Sequence, residues 1–228
     1  MKLVREEVAR AKAQKKIDIR LIKIADLLGP VDRSQSQCCD MGGAVANKDQ
    51  IPPPAMLAEE VEARARAANT WVIGLTGPFG SGCTTAAHAL SQGSPAFTSV
   101  KLSDVLRGIA GEDGGRGSLQ DLGNELRQKE GHHALVVRGL APLLAQDPPA
   151  ARIAIDGIRN LGEVRWLQHA LGDRFSLFGI IAEPKERYER RRDKAQTIED
   201  FNALDLRDQG EEEDYGQQVN RCVDFAVS

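Results

Sequence analysis

The stretch "TWVIGLTGPFGSGCTTAAHALSQ", Thr70 to Gln92, constrains the fold of this chain more than any other. A short apolar run enters a glycine-rich turn, and the turn opens into a helical stretch. Strand, glycine loop, helix is the context in which backbone N–H groups gather around a phosphate. Gly77, Gly82 and Thr84 fall on the spacing G-x-x-x-x-G-K-[ST], but the lysine position holds Cys83.

Successive N–H groups in such a loop form an anion nest, and the helix that follows adds the positive end of its dipole. Both are backbone properties and survive the loss of the lysine. Gly77, Gly80, Ser81, Gly82, Cys83, Thr84 and Thr85 are therefore the expected contacts of ATP or another nucleoside triphosphate. Thr84 stands where a hydroxyl ligates Mg²⁺. The lysine would stabilise charge on a transferring phosphoryl group, and Cys83 cannot: its thiol is neutral at pH 7 and its side chain is short. Three readings stay open. The site is a nucleotide sensor with little turnover, or another cation substitutes (Lys101 or an arginine of "RYERRRDK"), or the loop is a tight turn without a ligand.

"ARIAIDG", Ala151 to Gly157, is an apolar run that ends in an acid. An acid at the end of a strand beside such a loop holds Mg²⁺ through water or orients an acceptor hydroxyl, so Asp156 is expected as metal ligand and catalytic residue. Arginine forks suit phosphate oxygens. Ser103 and Arg107 in "LSDVLRG", Asn124 and Arg127 in "LGNELRQKEG" and Arg159 in "DGIRN" make a candidate acceptor-phosphate pocket. Arg187 and Arg191 lie one helical turn apart in "ERYERRRDK" and are candidates to close over the phosphates.

The alternation continues along the chain. "FSLFGIIAE", Phe175 to Glu183, reads as a further buried strand, and helical stretches run roughly over residues 118–145 and 161–171. Strands alternating with helices predict a parallel sheet covered on both faces. Ahead of it, Ile17, Leu21, Ile24 and Leu28 give Met1 to Leu28 a helical period, and Gly29–Pro30 stops it. A breaker-rich segment follows, then a helix over Ala55 to Ala68. Residues 1–69 are thus read as a helical extension and linker, and residues 70–228 as the main domain.

The net charge of −3 draws the chain neither to nucleic acid nor to an anionic membrane, and acidic residues interleave the basic ones. No apolar run approaches a membrane span, and the charged start lacks a signal peptide's apolar region, so a cytoplasmic protein is expected. Cys38, Cys39, Cys83 and Cys222 form no C-x-x-C pair, and the four histidines show no ligand spacing to them. Neither a zinc site nor a disulfide framework is expected.

"GLTGPFGSGCTT", "KLSDVLRG", "LQDLGNELRQKEG", "IDGIRNLGEVRWL", "RYERRRD" and "LDLRDQGEEEDYGQQVNRCVDFA" occur in an ordered set. Over Thr70 to Ser228 that set resembles the nucleoside-monophosphate kinase-like P-loop group, which includes dephospho-CoA kinase and deoxynucleotide kinases. It looks closest to the P-loop domain at the N-terminus of bacterial antiphage deoxycytidylate deaminases. The resemblance implies an α/β P-loop NTPase fold and ATP-dependent phosphoryl transfer to a (deoxy)nucleotide, weakened to sensing where Cys83 replaces the lysine. The alternative it implies is a non-catalytic regulatory domain with a zinc-dependent deaminase domain or subunit as partner. The deaminase signature, H-x-E with P-C-x-x-C, does not occur here, so deaminase chemistry is not assigned to these residues. "CVDFAVS" reads as the last strand of the domain, which implies a fragment, a truncation or a stand-alone relative. Homo-oligomerisation is left open.

Overall fold

A computed structural model describes residue 54 and residues 56–111, 116–210 and 214–227. The helix expected over Met1 to Leu28 and the segment up to residue 53 lie outside the described residues. Four strands form one parallel sheet: β1 (Trp71–Thr76), β2 (Thr98–Lys101), β3 (Arg152–Asp156) and β4 (Phe175–Gly179), in the order β2-β3-β1-β4. Nine α-helices accompany it among the described residues. They are α1 (Ala58–Ala67), α2 (Cys83–Gln92), α3 (Leu102–Ala110), α4 (Arg116–Glu130), α5 (Ala134–Leu144), α6 (Leu161–Leu171), α7 (Pro184–Arg190), α8 (Ile198–Gln209) and α9 (Val219–Val227).

The register sorts the side chains onto two faces, because successive residues of a strand point to opposite sides. Val72 pairs with Ile153 and Phe175, and Gly74 with Ile155 and Leu177. These residues face the main core, which holds Leu135, Val136 and Leu140 of α5 and Val164 and Leu167 of α6. Ile73 and Leu75 face the other way and pack on Ala86, Ala87 and Leu90 of α2. Asp156 pairs with Leu75 of β1 and with Lys101 of β2, so the acid stands on the same face as α2. Helix α1 is part of the main core: its Val61 and Ala65 are fully buried.

Three expectations give way. The helical stretch over residues 118–145 is two helices, because Gly131 adopts φ +98°, a conformation that ends α4. The strand in "FSLFGIIAE" is shorter than expected and forms an edge of the sheet. Ser176 and Phe178 are exposed there, because α2 lies over β1 to β3 and leaves that face of β4 open. "CVDFAVS" is not a strand but most of α9. Val219, Cys222 and Phe225 recur at helical spacing; Cys222 and Phe225 pack on the main core beside β4 and α6, and Val219 is buried too. Among the described residues no helix is long and apolar enough to cross a membrane.

Candidate functional site

The glycine loop joins the end of β1 to the first residue of α2. A Cβ on Gly77 would lie 2.2 Å from the carbonyl oxygen of Ile180, so no other residue fits the close passage of these two segments. Gly82 caps α2 at φ +110°, a left-handed conformation that glycine alone adopts without strain. The first N–H groups of α2, from Cys83 to Thr85, have no helical carbonyl to take.

Asp156 stands at the end of β3, directly across from this helix start. Thr84 Oγ1 donates to Asp156 Oδ2 at 2.7 Å, a bond spanning 72 residues of sequence. The carboxylate is 3% exposed. Burial raises its pKa; the Thr84 bond and the charges of Lys101 and Arg159 oppose the rise. A buried carboxylate beside a hydroxyl is the hard-oxygen pair that Mg²⁺ takes, and the residues fit that ion. Among the described residues no group of three or more His, Cys, Asp and Glu could enclose a metal. A cation here would complete its shell with water and ligand oxygens.

Cys83 packs against the Leu75–Ala86–Ala87 cluster, its sulfur 3.5 Å from Ser81 Oγ. Burial pushes its thiol up to about 11, against a smaller downward pull from Ser81. Burial likewise pushes Cys222 up to about 12. Both cysteines are therefore expected to resist alkylation. With Cys38 and Cys39 replaced by serine, maleimide should label Cys83 at pH 8 about 100-fold more slowly than a thiol of pKa 9. Rapid stoichiometric labelling of Cys83, read by peptide mass, would show the thiol to be exposed and ionised.

Helix α7 and the residue after it bring arginines onto the loop, and α8 anchors one of them. Arg187 donates from Nη1 to the carbonyl of Phe79 (2.9 Å) and from Nε to that of Ala182 (3.2 Å), and both its Nη atoms bond the Asp205 carboxylate. It is 5% exposed. Arg190 Nη1 donates to the carbonyl of Ser81 at 3.3 Å. Arg191 lies over the Phe79 ring, 5.0 Å from its centre. Its buried Nε has no hydrogen-bond partner among the described residues and comes within 3.9 Å of Asp193. The helix closes at Arg190 with Arg191 as its cap, and the side chains of Arg187 and Arg191 both lie against Gly80 of the loop.

The expected acceptor residues separate. Arg159 is half-buried beside the site, its Nη1 2.7 Å from Asp208 Oδ2 and 3.2 Å from Gln217 Oε1. Gln217, Asn124, Gln120, Asp121 and Arg207 line an adjoining cavity of about 520 Å³. Arg127 turns instead into the core, 2% exposed and paired with the fully buried Glu163. Ser103 and Arg107 lie on α3, where the half-exposed Arg107 pairs with Asp104. Sequence reading passed over Asp205 and Asp208. They stand at i and i+3 on α8 and anchor Arg187 and Arg159, 18 and 49 residues away. Nothing local in the sequence announces pairs so far apart.

No family model matches the chain. A UPF0200/UPF0201 protein of Archaeoglobus fulgidus is 32% identical over 166 residues, 68% of this chain and 49% of the relative. A UPF0200 protein of Pyrobaculum aerophilum is 32% identical over 143 residues, which cover 60% of this chain and 76% of the relative. The chain belongs to the UPF0200 family. A further UPF0200 protein, from Methanosarcina barkeri, is 29% identical over 150 residues, 62% of this chain and 76% of its own length. This UPF0200 chain spans about half the length of the Archaeoglobus relative.

Proposed function

We propose that this chain is a nucleotide-binding P-loop protein of the nucleoside-monophosphate kinase type. The observation that carries the reading is the Thr84–Asp156 bond, which joins the helix after the glycine loop to the acid at the end of β3. The loop's N–H groups hold the triphosphate of ATP or a similar nucleotide. Thr84 and Asp156 would hold Mg²⁺, which when bound would supply positive charge to neutralise the phosphates. A second nucleotide lies in the cavity beside Arg159, where Asn124, Gln120 and Gln217 offer paired donors and acceptors to a base. The inherited reaction is phosphoryl transfer to that nucleotide. It is slow, because the neutral Cys83 stands where a cation serves the transferring group.

Binding of a fluorescent ATP analogue, with and without Mg²⁺, tests the reading. Asp156→Asn keeps an acceptor for Thr84 and is expected to lose the Mg²⁺-dependent part of the affinity. Gly82→Val is expected to lose binding under both conditions, because valine is strained at this φ and crowds the loop. An equal loss in Asp156→Asn with and without metal would make the acid structural, and an unchanged affinity in Gly82→Val would overturn the loop's role. The ligand-free Asp156→Asn protein is also expected to melt higher at neutral pH. The folded state binds this proton more tightly than the unfolded chain, so ionising the buried acid costs stability as pH rises above 3.8. The gain should vanish as pH falls below that value. Melting temperatures of the two proteins across the acid range check this.

A further inference from the structure

A second cavity, of about 380 Å³, lies between the start of α5, the first turns of α6 and α9, and residues 214–218. Arg165 of α6 and Arg221 of α9 reach it from separate elements. Five other guanidinium groups are neutralised within the fold: Arg127 by Glu163, Arg138 by Glu130, Arg159 by Asp208, Arg187 by Asp205 and Arg207 by Asp121. Arg165 and Arg221 line a concave surface, and neither makes an ion pair or a hydrogen bond among the described residues. Among the described residues Asp214 is the one carboxylate in the lining, and it is engaged by His132, whose Nε2 is 3.1 Å from Asp214 Oδ2. His132 is further fixed by stacking on Tyr215 at 4.8 Å, and its buried Nδ1 has no hydrogen-bond partner among the described residues.

We propose that this cavity is a second anion site, separate from the glycine loop, that takes a small phosphate ester. Among the described residues two guanidinium forks without an ion pair face a single carboxylate, and planar forks match tetrahedral phosphate oxygens. The volume lies at the small end of ordinary ligand sites, enough for a phosphate and a short organic group. The site also communicates with the first. Residues 214–218 supply Asp214 and Gln218 to this cavity and Gly216 and Gln217 to the other. Gln218 N–H donates to the carbonyl of Arg159 at 2.6 Å, and Gln217 holds the Arg159 guanidinium. An anion drawn between α6 and α9 moves the segment that positions Arg159.

Histidine ring signals in NMR test the site on the full chain, with inorganic phosphate as the probe. His132 reports the second cavity, and His88 on α2 reports the glycine loop. Millimolar phosphate is expected to shift the His132 signals saturably, and equal chloride is not. Arg165→Gln/Arg221→Gln should weaken that response by about tenfold or more, leaving any His88 response in place. Both arginines are exposed, so the variant's circular dichroism should match the parent's. Unmoved His132 signals, a matching effect of chloride, or an undiminished response in the double variant would each overturn the proposal. A response at His88 alone would leave the glycine loop as the phosphate site and overturn it equally.

Discussion

Cys83→Lys is expected to raise Mg²⁺-ATP turnover on the order of 10²–10³-fold while changing ATP affinity less. Cys83 is the first residue of α2, and its neutral sulfur lies against Ser81 and a small apolar cluster. Binding draws on the loop's amides and the helix end, which the substitution leaves in place. The ammonium acts where charge develops during transfer, and such contacts change the rate more than the ground state. Two cations compete for this role in the parent protein. Lys101 stands across from Asp156 on the neighbouring strand, and Arg191 lies over Phe79. If either already serves the transferring phosphate, an added lysine crowds Ser81 and gains nothing. Steady-state turnover of parent and variant, with and without deoxynucleoside monophosphates, decides the matter. Brisk turnover by the parent that falls in the variant would show that another cation does the work.

Glu163→Ala is expected to cost about 3–5 kcal/mol of stability. Glu163 Oε1 accepts from Arg127 Nε (3.0 Å) and Nη2 (2.9 Å); Oε2 accepts the backbone N–H groups of Arg159 (3.1 Å) and Asn160 (3.2 Å). The carboxylate and the guanidinium are both buried. Alanine strands a guanidinium in the core and frees two amides at the turn that starts α6. Against the roughly 5–15 kcal/mol that holds an ordinary domain together, the loss is severe. Adding Arg127→Met to Glu163→Ala should recover part of it, since no unpaired charge then remains buried. Urea unfolding of the two variants measures both effects. A loss below about 1 kcal/mol in Glu163→Ala would mean that the arginine finds water or another partner.

The same pair shows where sequence reading stops. The strand, glycine loop and helix over Thr70 to Gln92, and the strand ending in Asp156, are legible because their patterns are local: an apolar run, a turn residue, a period. Arg127 is not. On a helix beside polar neighbours an arginine looks like a phosphate ligand until its carboxylate is found, and Glu163 is 36 residues away. Arg187 and Arg159 have the same history with Asp205 and Asp208. The segment now seen as α9 was ambiguous for a different reason. A short run such as "CVDFAV" fits a strand or a helix equally well, and only the surface formed by β4 and α6 selects between them.

Arg187 and Arg190 hold the loop from behind, by the carbonyls of Phe79 and Ser81. A trans peptide is planar, and its C=O and the N–H that follows point to opposite sides. Each arginine therefore fixes one peptide plane, and the N–H groups of Gly80 and Gly82 face away from the guanidinium that fixed them. Glycine left to itself rotates more freely than any other residue. The two side chains act as a splint: they remove that rotational freedom before an anion arrives, so that the anion does not have to remove it.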